Sequence, residues 1–106
     1  MLDLIIKNGQ CYINGELKNV DVAIKDGKIQ QIGQILDEAK ETLNVKGLTV
    51  LPGCIDTQTH FREPGSTDTE DLHSGGRAAI VGGITSVFEM PNTNPPTSTF
   101  FSSLLM

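Results

Sequence analysis

The chain has 106 residues, a formal net charge of −5, 5% aromatic residues and no Trp. That length allows one small domain, or a part of a larger one, with a modest core. The acidic balance argues against nucleic acid or an anionic membrane as a partner, and the scarcity of aromatic rings argues against a base-stacking platform. The start, Met1 to Lys7, has no basic segment and only a short apolar run, so it reads as a strand and not as a secretion signal. No stretch approaches the roughly 20 apolar residues of a membrane span. Cys11 and Cys54 are the only cysteines and read as reduced thiols, which makes the cytoplasm the expected location.

The first fifty residues are rich in strand signals. Leu2 to Lys7 predicts a strand, Asn8-Gly9 a turn, and Gln10 to Ile13 a second strand closed by Asn14-Gly15. Val20 to Lys25 alternates Val20, Val22 and Ile24 with Asp21, Ala23 and Lys25, and Asp26-Gly27 turns it into Lys28 to Ile32. Asn-Gly and Asp-Gly favour the left-handed turns that match strand twist, so a hairpin at Asp26-Gly27 is expected. Asp37 to Thr42 predicts one helical turn. The region as a whole reads as a small antiparallel sheet without chemistry of its own.

The pattern changes at Gly47. Leu48 to Leu51 is apolar throughout, as in a strand buried on both faces. Pro52-Gly53 interrupts it, and a strand resumes from Ile55 to Phe61. Glu63 to Ser66 is a loop and Leu72 to Val81 a helix, capped by Thr67 or Thr69 and favoured at its positive end by Asp68, Glu70 and Asp71. Gly82-Gly83 stops the helix, Ile84 to Met90 is the next strand, and Pro91 to Pro96 is a loop. Strand, helix, glycine stop and strand make one βαβ unit and imply a parallel pair. Ser98 to Met106 is apolar and unpatterned and reads as an aberrant tail, with truncation near Thr97.

The chemistry concentrates after Pro52. Two-residue spacing puts Cys54, Asp56, Gln58, His60 and Arg62 on one strand face. His60 is a candidate metal ligand, or else a histidine hydrogen-bonded to a neighbour. Asp56 can orient a ligand from behind or cap nearby N–H groups. Arg62 can clamp a carboxylate with two parallel hydrogen bonds, or pair with Glu63 or Asp68. Asn92 and Asn94, in a Pro-rich loop, can each form an Asx turn. His73 reads as a solvated helix residue. Cys54, with no positioned base, reads as a small core residue. Gly75-Gly76 and Gly82-Gly83 do not make a phosphate-binding loop.

Asp56-Thr57-Gln58-Thr59-His60 resembles the D-x-H-x-H metal signature of the amidohydrolase superfamily, with Gln58 where the first histidine stands. Phe61-Arg62-Glu63-Pro64-Gly65, Gly82 to Val87 and Met90-Pro91-Asn92-Thr93-Asn94-Pro95 look like dihydroorotase in particular, and the resemblance covers residues 2–97. It implies an α/β fold: a small β-sandwich segment over 1–50, then over 51–97 the first strand–helix–strand of a TIM barrel that is incomplete here, with 98–106 as the aberrant tail. A closed barrel takes about 250 residues. It also implies a zinc-dependent hydrolase of cyclic amide C–N bonds that interconverts dihydroorotate and N-carbamoyl-aspartate in pyrimidine synthesis. In it, His60 is a metal ligand, Asp56 stands behind the ligands, and Arg62 and Asn92 bind the substrate carboxylate. The family's remaining ligands, a carboxylated lysine, two histidines and an aspartate, belong to later strands. Gln58 offers only a neutral amide oxygen, a poor zinc donor, so the chain alone is expected to be inactive. The same resemblance admits a non-catalytic homologue that is the structural partner of aspartate transcarbamoylase, a homo-oligomer, or an allantoinase- or dihydropyrimidinase-like hydrolase.

Overall fold

In the computed structural model, which describes residues 1–97, the chain divides into two compact units, Met1–Pro52 and Gly53–Met106. The tail read as aberrant, 98–106, lies outside the described residues.

The first unit holds two mixed sheets. β1 (Leu2–Lys7), β4 (Asp21–Lys25), β5 (Lys28–Gly33) and β6 (Ala39–Asn44) form a four-stranded sheet in the order β5-β4-β1-β6. β2 (Gln10–Ile13), β3 (Glu16–Asn19) and β7 (Thr49–Val50) form a three-stranded sheet in the order β3-β2-β7. β1–β6 and β2–β7 pair in parallel, so the expected all-antiparallel sheet is corrected. Both two-residue hairpins form as the turn chemistry demands: Asn14 and Gly15 have φ of 51° and 86°, Asp26 and Gly27 51° and 70°.

Two expectations fail here, and one strand was not foreseen. Asp37 to Thr42 is not a helical turn, because Ala39–Asn44 finds the free edge of β1 and exchanges ladder bonds along it, from Leu2↔Ala39 to Lys7↔Asn44. Glu16–Asn19, without an apolar face, is drawn into a strand by the hairpin turn alone. The apolar run at Leu48 is not a doubly buried strand: only Thr49–Val50 pairs, and Leu48 and Leu51 are 62% and 60% exposed.

The core of this unit is Leu2, Ile5, Ala23 and Ile35, with Ala39 against it. Ala23 lies on the opposite face of β4 from Val22, yet both are buried, so the predicted one-sided alternation does not hold. Asp3 ties the edges together, accepting from Lys40 Nζ at 2.6 Å and from the Asp26 N–H at 2.7 Å. These bonds, Lys40 first, hold its carboxyl below the usual value.

The second unit is a βαβ element, as the sequence predicts. β8 (Cys54–Thr59) and β9 (Ile84–Glu89) pair in parallel, joined through α1 (Leu72–Val81). No closed barrel is formed among the described residues. β8 ends two residues earlier than predicted, which puts His60 and Arg62 in the loop beyond it. Cys54 is exposed and is not a core residue. Exposed apolar side chains flank the pair, among them Ile55 and Phe88, both 59% accessible. Gly53 is required before β8, since a Cβ there would stand 2.1 Å from Thr85 Oγ1.

The helix cap is neither Thr67 nor Thr69. Asp71 is the N-cap: its carboxylate accepts from the Ser74 N–H at 2.7 Å, while Ser74 Oγ accepts from the Asp71 N–H at 3.2 Å. This reciprocal pair satisfies two donors that the helix itself cannot. Ser74 can stand in for the usual Glu because its short hydroxyl reaches the same N–H.

Two predictions follow from these elements. Ile5→Ala, at a side chain 1% exposed, is expected to cost about 2–5 kcal/mol. Tyr12 is the only tyrosine and there is no Trp, so the tyrosine emission of a urea titration reads the first unit alone. The second concerns acid. Asp71 has a lowered pKa in the fold, caused first by the Ser74 N–H and then by the Ser74 hydroxyl. Its cap is therefore fully present above the ordinary carboxyl value and is lost as pH falls through the depressed one. Helical ellipticity is expected to decline in that acidic window, and Asp71→Asn is expected to flatten the decline.

Candidate functional site

The parallel pairing of β8 and β9 sets two loops side by side: 60–66 after β8 and 90–97 after β9. The Met90 N–H donates to the Thr59 carbonyl at 2.8 Å and continues the ladder one step past Glu89. Beyond it, side chains take over from backbone pairing.

Glu89, which the sequence reading passed over, ends β9 facing inward. Its Oε2 accepts from the Phe61 N–H at 3.1 Å. Its Oε1 is buried without a partner, as is Oγ1 of Thr59, the residue opposite it in register. The signal was present: period two puts Glu89 on the half-buried face with Val87, where a carboxylate needs a reason to be.

Asn92 bridges the two loops. Its Nδ2 donates to the Phe61 carbonyl at 3.0 Å, and its Oδ1 lies 3.0 Å from His60 Nδ1. Both N–H and C=O of Phe61 are thus held from the β9 side, by Glu89 and Asn92. Farther on, the Asn94 N–H donates to the Pro64 carbonyl at 2.9 Å. Gly65, with φ of 118°, sits so close that a Cβ would come within 2.9 Å of Asn94 Cβ. Thr93, between the two asparagines, is buried, and its hydroxyl donates to the Pro95 carbonyl at 2.9 Å.

Glu63 turns the other way and accepts from the Leu72 N–H at 2.7 Å, so the loop also closes the first turn of α1. Phe61 packs on that helix. A Cβ at Gly75 would lie 2.7 Å from Phe61 Cε1. A cavity of about 300 Å³ opens beside this contact, lined by Phe61, Leu72, Ile80, Val87 and Glu89 among others.

Of the sequence-predicted residues, His60 and Asn92 are brought into contact. Asp56 caps its own strand, accepting from the Gln58 N–H at 3.0 Å. Arg62 is exposed and, among the described residues, makes no ion pair with Glu63, Asp68 or any other carboxylate. Its guanidinium is available to an anion. His73 is exposed on α1.

Sequence and structure comparisons agree on the origin of this arrangement. Residues 49–105, more than half of the chain, match the amidohydrolase family. The chain belongs to that family. It is 49% identical over 94 residues to an allantoinase from Escherichia coli O1:K1, covering 89% of this chain and 21% of that enzyme. Its fold matches L-hydantoinase (dihydropyrimidinase) from Arthrobacter aurescens with a TM-score of 0.84 and 32% identity, over 99% of this chain and 24% of that one. It also matches N-acyl-D-glutamate deacylase from Bordetella bronchiseptica, solved with zinc and a phosphonate inhibitor, with a TM-score of 0.65 and 27% identity, over 81% and 18%. The chain therefore spans about a fifth of the length of the relatives it matches, and the similarity is to cyclic amidohydrolases named allantoinase and hydantoinase.

Members of this family are typically metal-dependent. Among the described residues no three of His, Cys, Asp and Glu gather closely enough to hold an ion. Near the end of β8 there is one imidazole, His60, and an amide, Gln58. Zinc sites take several anionic or imidazole donors, so these residues do not by themselves fit the ion.

The Phe61–Gly75 contact gives a sharp comparison. Gly76→Ala, with nothing within 4 Å of its Cβ, is expected to stabilise the second unit by about 0.5–1 kcal/mol through helix propensity. Gly75→Ala brings the same propensity gain but must displace the Phe61 ring, at a typical overpacking cost of about 1–3 kcal/mol. The difference between the two variants in thermal unfolding isolates the contact, and only Gly75→Ala is expected to shift the NMR signals of His60 and Arg62.

Proposed function

We propose that this chain supplies the β8 and β9 loops of the active site of a cyclic amide hydrolase, within a barrel whose other strands it does not contain. The observation that carries the reading is the clamp of Phe61 by Glu89 and Asn92, which holds His60 and Arg62 at the carboxyl ends of parallel strands. That is where barrel enzymes of this kind carry their chemistry. His60 would be one ligand of a zinc site completed by residues outside this chain. Asp56, which braces the backbone at Gln58, would act behind the ligands.

The ring substrate best supported by sequence similarity is a ureide such as allantoin, because relatives at 49% identity bear that enzyme's name. A second reading, dihydroorotate, is favoured by one observation: among the described residues the exposed guanidinium of Arg62 has no carboxylate partner. Arg and Asn both donate and suit a substrate carboxylate, which allantoin lacks.

A chimera separates these readings. Residues 1–97 are placed in the corresponding section of the Escherichia coli allantoinase, once with Gln58 and once with Gln58→His. The His form is expected to load zinc and open a cyclic amide, and the Gln form to fall at least about 10–100-fold in metal affinity or turnover, as for the loss of a supporting metal contact. A preference for dihydroorotate abolished by Arg62→Ala selects the second reading. A folded, zinc-loaded His chimera that opens neither ring overturns both.

A further inference from the structure

We infer that Asn92 is a positioning residue for His60, whose amide decides which ring nitrogen carries the proton. Phe61 sets the orientation of the Asn92 amide. Its carbonyl can only accept, so the group of Asn92 that meets it at 3.0 Å is the NH2. The amide plane then turns Oδ1 toward His60 Nδ1, also at 3.0 Å. An amide oxygen can only accept, so His60 Nδ1 must hold the hydrogen and donate it. In the neutral ring Nε2 is left with the lone pair, the form that can ligate or accept.

Phe61 is itself fixed at its N–H by Glu89 and by its ring against Gly75, so the anchor of this relay does not turn freely. His60 and Asn92 are both exposed, and no other side chain among the described residues hydrogen-bonds the ring. Asn92 is therefore the one group there that can bias the tautomer. This deepens the proposed site and rests on it for its catalytic consequence. The proton's position does not depend on that reading.

The test uses the full 106-residue chain, labelled with nitrogen-15, at a pH well above the ordinary histidine value of about 6.5. Long-range proton–nitrogen NMR correlations show which nitrogen of each ring bears hydrogen. An imidazole without a partner favours Nε2–H in water, and exposed His73 serves as that reference. Relative to His73, the ratio of Nδ1–H to Nε2–H in His60 is expected to rise about fivefold, the weight of one ordinary hydrogen bond. Asn92→Leu is expected to return it to the pattern of His73. A wild-type His60 that matches His73 overturns the inference. So does an Nδ1–H form that survives Asn92→Leu. Catalysis plays no part in the readout, so a protein that hydrolyses nothing can still pass, and an active chimera can still fail.

Discussion

The second unit depends on the parallel pairing of β8 with β9. A parallel ladder ends both strands at the same edge, so the loops that follow them emerge together. Everything distinctive about the site comes from that adjacency. The last backbone rung, Met90 to Thr59, leaves Phe61 within reach of Glu89 and Asn92, and Pro64 within reach of Asn94. A register slip of one residue would turn Glu89 to the opposite face and undo the set at once. The site is thus held by long-range pairing and needs little from the loops' own conformational preferences.

The part of the fold legible in sequence was the part written in local chemistry. The turn at Asn14-Gly15 and the hairpin at Asp26-Gly27 were readable because left-handed backbone is cheap only for such residues. α1 was readable from its glycine stop and its amphipathic run, over the bounds that form. What escaped was set by partners distant in sequence. Ala39–Asn44 has no strong strand pattern and becomes a strand because β1 offers an unpaired edge. Leu48 and Leu51 looked like core residues, and only their surroundings leave them exposed. The N-cap escaped for another reason: several acidic and hydroxyl residues compete between Thr67 and Asp71, and Glu63, nine residues upstream of Leu72, already supplies one acceptor.

The site was legible to a similar degree. The stretch from Asp56 to Arg62 was singled out as the place where chemistry concentrates, and the structure brings His60 and Asn92 together. Spacing alone could not reveal that Asn92 reaches across to a histidine 32 residues earlier, or that Glu89 holds the backbone between His60 and Arg62. Both contacts need the register of two strands, which one-dimensional patterns do not contain.

The same geometry explains why the motif Phe61 to Gly65 points to a family more securely than to a substrate. Phe61 is spent on Gly75, Glu89 and Asn92, Glu63 on the start of α1, Pro64 on the Asn94 N–H, and Gly65 on a close approach that excludes a Cβ. Four of the five residues thus have work inside the fold, and any relative that keeps the loop must solve the same packing problem. Only Arg62 lacks an internal task for its side chain among the described residues. A likeness across the whole motif therefore reports the loop's architecture. On the proposed reading, discrimination between rings with and without a carboxylate would fall to Arg62, the side chain of the motif that the loop leaves free.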